Sequence, residues 1–145
     1  GITNMIDYDN NVVVCSGKAL YSLNVTNGEA NYEVPVAKGG VGDAELIETY
    51  KDMVVVVGEK GVSTFKVSNG DLVNSGKYRK SFYEDRVGNI LVMKTEGADI
   101  AAFNLDSGKY LEFKARKGAT TTLSREGDYV YVYENKTVSK VKTDK

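Results

Sequence analysis

The sequence predicts an all-β fold built from one repeated sheet, and three observations predict it. A pattern of short apolar strands returns about every 40 residues. Each of the first three returns carries a polar turn with a glycine: Thr26-Asn27-Gly28-Glu29, Ser68-Asn69-Gly70-Asp71 and Asp106-Ser107-Gly108-Lys109. No stretch shows a helical apolar period, whereas Val and Tyr abound and Gly, Asn and Asp punctuate at short intervals. The turn glycines are 42 and 38 residues apart, and Asp144, 36 residues beyond Gly108, takes the glycine's place in a fourth copy. A period of this size with several strands per repeat is the signature of β-propeller blades. The expectation is a β-propeller of about four four-stranded antiparallel blades, near 1–37, 43–79, 81–116 and 119–145. The last blade lacks its final strand, as in a partial ring or half of a larger one, readings favoured over a small closed four-bladed ring.

Fifteen strands follow in order. The first repeat predicts Ile2–Tyr8, Val12–Ser16, Ala19–Val25 and Ala30–Val36. The second predicts Glu45–Tyr50, Met53–Gly58, Val62–Val67 and Leu72–Tyr78. The third predicts Phe82–Arg86, Ile90–Lys94, Ile100–Leu105 and Tyr110–Ala115. The fourth predicts Thr120–Arg125, Tyr129–Tyr133 and Thr137–Val141. Second strands such as Val54-Val55-Val56-Val57 are nearly all apolar, as a strand covered on both faces requires. Third strands are mixed, with Leu20, Ser22 and Asn24 on one face and Tyr21, Leu23 and Val25 on the other. The pairs Asn27-Gly28, Asn69-Gly70 and Ser107-Gly108 tolerate the positive φ of tight hairpin turns, so their recurrence is structural.

Composition narrows the chemistry. The 145 residues suffice for one domain with a real core. Lys plus Arg number 19 against 20 Asp plus Glu, and a net charge of −1 gives no reason to expect nucleic acid or an anionic membrane as partner. No apolar run is long enough for a membrane span, and no signal peptide is visible. There is no histidine, which removes Ser-His-Asp and Cys-His catalysis and histidine-ligated metal sites. The single cysteine, Cys15, ends the apolar run Val12 to Val14 and is expected as a small core residue.

The turns, together with the preceding Ala19-Leu20-Tyr21-Ser22-Leu23 and Ile100-Ala101-Ala102-Phe103, resemble the repeats of the PQQ-like, or quinoprotein-dehydrogenase-like, β-propeller family. The resemblance covers nearly the whole chain through short motifs. Where that family has an aspartate four residues before the turn glycine, this chain has Asn24, Lys66 and Asn104. Where the family has a blade-docking tryptophan four residues after it, this chain has Tyr32, Asn74 and Glu112, with Phe113 one place displaced. The repeats are therefore degenerate, which favours scaffold-type members over quinone-binding enzymes. The resemblance implies a larger ring of seven or eight blades and a non-enzymatic protein–protein interaction scaffold in an extracytoplasmic compartment, similar to those that assist envelope-protein assembly. A protein partner or a second copy would complete the ring, and blade edges would accept a partner's strand. The alternative is a portion of a ligand-binding or catalytic propeller, a quinoprotein or carbohydrate-active enzyme, whose site residues lie outside this chain.

No catalytic, cofactor-binding or metal-binding residue is expected, and every candidate has a structural explanation. Asp7-Tyr8-Asp9-Asn10-Asn11 opens like a calcium loop but has Val12 and Lys18 where such a loop needs Gly and Glu; it is expected as an acidic hairpin turn. Gly39-Gly40-Val41-Gly42-Asp43 lacks the Lys-Ser/Thr ending of a phosphate loop and is expected as a flexible connection between blades. Asn24-Val25-Thr26 and Asn135-Lys136-Thr137 are N-glycosylation sequons. The basic clusters Lys77-Tyr78-Arg79-Lys80 and Lys114, Arg116, Lys117 are expected as solvated strand ends. Glu45 with Glu48, and Glu84 with Asp85, have no neighbour that would select them for acid–base work.

Overall fold

The computed structural model describes residues 4–16, 18–95 and 99–145. Fifteen strands are present among them. β1 (Asn4–Tyr8), β2 (Asn11–Cys15), β3 (Ala19–Asn24) and β4 (Ala30–Pro35) form a first sheet in that order. β5 (Ala44–Tyr50), β6 (Met53–Gly58), β7 (Gly61–Lys66) and β8 (Leu72–Lys77) form a second. β9 (Ser81–Val87), β10 (Ile90–Thr95), β11 (Ile100–Asn104) and β12 (Tyr110–Phe113) form a third. β13 (Thr120–Leu123), β14 (Tyr129–Glu134) and β15 (Thr137–Lys142) form a fourth, of three strands. Every pairing is antiparallel between consecutive strands. The sheets are the four expected blades, and all fifteen strands fall where the sequence places them. The first was expected from Ile2, and residues 2 and 3 lie outside the described ones.

Strand ends move by a residue or two where local bonds take over. β13 stops at Leu123 rather than Arg125 because Ser124 turns the chain. Its N–H donates to the Tyr129 carbonyl (2.8 Å), and its carbonyl accepts from Gly127 N–H (3.0 Å). β12 stops at Phe113 rather than Ala115; just beyond it, Arg116 N–H donates to the Glu134 carboxylate at 2.7 Å.

The chain divides into two compact halves, Gly1–Lys77 and Tyr78–Lys145. In the first half, two sheets pack face to face. Val13, Cys15 and Leu20 of the first sheet meet Ile47, Val54, Val56 and Phe65 of the second, with Ile6, Tyr8 and Val34 at the margin. The strand register places those residues on one face of each sheet. In the second half, Ile90, Val92, Ile100 and Ala102 of the third sheet pack with Leu123, Val130 and Val132 of the fourth. Removing such apolar surface from water stabilises by roughly 25 cal/mol per Å².

One backbone hydrogen bond recurs in every sheet and ties the end of its third strand to its first hairpin turn. The N–H of the residue just past the third strand donates to a carbonyl in the first hairpin turn: Val25 to Asn10 (3.2 Å), Val67 to Asp52 (3.0 Å), Leu105 to Asn89 (2.8 Å) and Thr143 to Asp128 (2.8 Å). This aligns Thr143 with Val25, Val67 and Leu105. Asp144 is therefore equivalent to Thr26, Ser68 and Asp106, two places before the glycine, and does not take the glycine's place.

The glycine turns are also wider than tight hairpins. Gly28 N–H donates to Asn24 carbonyl, Gly70 to Lys66 and Gly108 to Asn104, each at 2.8 Å, closing a five-residue turn. The three glycines have φ of +74°, +78° and +76°, the left-handed region that side chains with a Cβ disfavour. Gly70 carries a second constraint. A Cβ there would meet Tyr32 Cδ1 at 2.8 Å and Val34 Cγ1 at 3.0 Å, whereas at Gly28 nothing lies within 4 Å. Tyr32 of the first sheet thus docks on the turn of the second, as expected of the aromatic in the tryptophan's place.

Two outcomes follow for stability, both read by denaturant unfolding. Gly28→Ala should cost about 1 kcal/mol through φ alone, and Gly70→Ala at least about 2 kcal/mol because it also displaces Tyr32; equal losses would contradict the docking. The Tyr32 hydroxyl is buried without a hydrogen-bond partner in the protein, so Tyr32→Phe should be neutral or stabilising by up to about 1 kcal/mol, while Tyr32→Ala should cost about 2 kcal/mol. Burial also holds the Tyr32 phenol above its ordinary value. Folding then disfavours the phenolate, and stability is lost as pH rises above about 10. In Tyr32→Phe that alkaline loss should be smaller than in the parent.

Candidate interaction surface

The fourth sheet departs from the others in what it leaves uncovered. In β14 the run Tyr129-Val130-Tyr131-Val132-Tyr133 alternates, and the alternation separates two environments. Val130 and Val132 are buried, whereas Tyr131 is 38% and Tyr133 52% exposed. The register sets Tyr133 beside Val138, Tyr131 beside Lys140 and Tyr129 beside Lys142 on β15, with Thr120 and Thr122 of β13 on the other flank. Lys140 Nζ lies 4.4 Å from the Tyr129 ring centroid, and Val138 is 64% exposed. This outward face is a row of three tyrosines flanked by lysines, and it carries no acidic side chain among the described residues.

Among the described residues β15 pairs with β14 alone, whereas β3, β7 and β11 each pair with a further strand. The Thr143 N–H points inward to Asp128. Antiparallel alternation then turns the N–H groups of Lys142, Lys140 and Val138 away from β14, toward the open edge. An unpaired row of donors and acceptors on an exposed strand is a template for a further strand.

The sequence candidates lie elsewhere. Asp7 is exposed on β1, and Asp9 sits at the β1–β2 hairpin with φ +57°. No group of three potential metal ligands occurs among the described residues. The segment expected as a flexible connection is instead a packed one. A 3₁₀ turn over Val36–Gly39 buries Val36 and Gly39, and Val41 is buried after it. Val41 carbonyl accepts from Lys60 N–H at 2.9 Å and Asp43 carbonyl from Glu59 N–H at 3.3 Å, tying the segment to the β6–β7 hairpin. Gly40 N–H is taken by Ala37 carbonyl (3.0 Å), so it is not free to cradle a phosphate. A cleft of about 330 Å³ beside this segment is lined by Lys18, Val36, Ala37, Gly40, Gly42, Asp43 and Lys60. Lys18 pairs with Asp43 there at 2.8 Å, which raises the Lys18 pKa chiefly through that hydrogen bond. Both partners are exposed, so the pair contributes little to stability.

The charge of Arg79 is already matched. Its guanidinium pairs with Asp99 at 2.8 Å and with Glu112, and it lies 5.2 Å from the Tyr78 ring centroid. Tyr78 in turn packs edge-on against Tyr110, which stacks on Phe103 at 4.7 Å. Asn135 lies in the β14–β15 hairpin turn, exposed, with φ +53°. Asn24 is occupied structurally: its side-chain oxygen accepts from the N–H groups of Thr26 (2.8 Å) and Asn27 (3.3 Å). Asn104 repeats this with Asp106 and Ser107 and also donates to the Asp144 carbonyl at 2.7 Å. Asparagine thus satisfies turn N–H groups at two of the turns, and Lys66 cannot accept in this way.

No protein-family profile matches the chain, and comparison with curated proteins finds no match. Solved structures do match. The computationally designed Ika4 protein is similar at a TM-score of 0.67 and 15% identity, over 98% of this chain and 91% of that one. BamB from Moraxella catarrhalis is similar at 0.60 and 12%, over 94% of this chain and 41% of BamB. Kluyveromyces lactis Hsv2 is similar at 0.60 and 18%, over 97% of this chain and 47% of Hsv2. The chain thus spans less than half the length of the latter two. The likeness is one of fold, and the fold is an all-β propeller with sheets of four, four, four and three strands.

The asparagine turns can be ranked by mutation. Asn24→Ala should cost about 1 kcal/mol, and Asn104→Ala, which is buried and loses a further bond, about 2 kcal/mol. Equilibrium unfolding of the two variants gives the comparison; a larger loss at Asn24 would contradict the assignment.

Proposed function

We propose that this chain is a non-enzymatic propeller module that works as a protein–protein interaction scaffold in an extracytoplasmic compartment. The observation that supports it is the open edge of β15, where exposed Val138, Lys140 and Lys142 direct backbone N–H groups outward. A partner segment in extended conformation adds there as a fourth strand. Backbone bonds supply affinity, and the alternating Val138, Lys140 and Lys142 favour acidic and apolar side chains in the added strand.

A synthetic peptide of alternating valine and glutamate tests this. It should bind the chain, and the same peptide N-methylated on the residues that face β15 should bind at least about tenfold more weakly. Lys140→Pro removes an outward N–H and no bond to β14, so it should weaken the unmodified peptide similarly. Equal binding by both peptides, or by parent and Lys140→Pro, would rule out strand addition at this edge.

A further inference from the structure

Two of the three glycine turns place an asparagine directly before the glycine, Asn27-Gly28 and Asn69-Gly70. This dipeptide carries its own chemistry. The glycine nitrogen can attack Cγ of the asparagine side chain, because no glycine side chain hinders the approach. The nitrogen gives up its proton, ammonia leaves from the side-chain amide, and a succinimide ring closes. Water then opens the ring at either carbonyl. Opening at Cγ gives aspartate, and opening at the main-chain carbonyl gives isoaspartate, which has an extra methylene in the backbone. The sum is an amide and a water converted to a carboxylate and an ammonium ion, and no oxidant or reductant takes part.

Attack requires the glycine nitrogen to leave its turn. Gly70 N–H donates to the Lys66 carbonyl at 2.8 Å, and the Asn69 side-chain oxygen accepts from Asp71 N–H at 2.9 Å. The Gly28 turn has the same pair of bonds, to the Asn24 carbonyl at 2.8 Å and from Glu29 N–H at 2.9 Å. The Gly70 turn has a further lock. Asn69 is exposed, but Gly70 is buried against the Tyr32 ring and Val34, where a Cβ would meet Tyr32 Cδ1 at 2.8 Å and Val34 Cγ1 at 3.0 Å. All of these residues belong to the first compact half, so the packing of its two sheets sets the lock. Turning the Gly70 nitrogen toward Asn69 Cγ displaces the ring.

We propose that Asn69 is a latent site of spontaneous conversion to aspartate and isoaspartate, opened when Tyr32 leaves the Gly70 turn. The exposed side chain stays intact while the first two sheets are docked. Their separation frees the glycine nitrogen. The isoaspartate then formed lengthens the backbone, so the turn no longer closes on Lys66 and the seat of Tyr32 is lost. A reversible opening is thereby recorded as a permanent covalent mark.

The test follows each Asn-Gly peptide by mass spectrometry during incubation at mildly alkaline pH, with isoaspartate separated by chromatography. In denaturant Asn27 and Asn69 should react at similar rates. In the folded parent Asn69 should be at least about tenfold slower than in denaturant. Tyr32→Ala should accelerate Asn69 about tenfold and leave Asn27 at its parent rate, whereas Tyr32→Phe, which keeps the ring, should leave both unchanged. Val34→Ala trims the same seat at less cost to folding and should raise the Asn69 rate alone. An Asn69 as fast in the folded parent as in denaturant would overturn the proposal. So would an Asn69 that, in either folded alanine variant, stays slow or accelerates only in step with Asn27.

Discussion

A sheet whose strands are apolar on both sides has to be covered on both sides, and that requirement organises this molecule. Val54 to Val57 are wholly buried although they are consecutive in sequence, so neither face of β6 tolerates water. The same holds for Ile90 to Met93 in β10. Within each half the partner sheet supplies a cover, through Val13, Cys15 and Leu20 of the first sheet and Val130 and Val132 of the fourth.

What holds each sheet in shape is less dependent on side chains. The bond from the end of its third strand to its first turn runs from backbone to backbone, so it survives when the residue before the donor changes from Asn24 to Lys66 to Asn104 to Lys142. This explains how repeats with so little identity keep one geometry. Side chains then adjust individual sheets. Tyr32 docks on the Gly70 turn, and Asn24 and Asn104 satisfy turn N–H groups.

The strands and the four-sheet arrangement were legible in the sequence because period-two alternation and turn glycines are local signals. Asp144 was misaligned because spacing was counted to a glycine, whereas the structure counts to the Thr143 hydrogen bond. The segment after β4 looked flexible because glycines permit flexibility, but Val36 and Val41 anchor it and Lys60 receives it. Arg79 looked like part of a basic patch because its partners, Asp99 and Glu112, are 20 and 33 residues away. The tyrosine face was present in the sequence as Tyr-Val-Tyr-Val-Tyr. Which of its two faces is covered depends on packing between sheets, and no local pattern reveals that.

The central claim is that strands apolar on both sides are the ones covered on both sides. Amide hydrogen exchange addresses it directly. β6 and β10, buried on both faces, should be the most protected strands, and β14 and β15, with exposed tyrosines and lysines, should exchange faster. Protection of β14 and β15 equal to that of β6 and β10 would contradict the account.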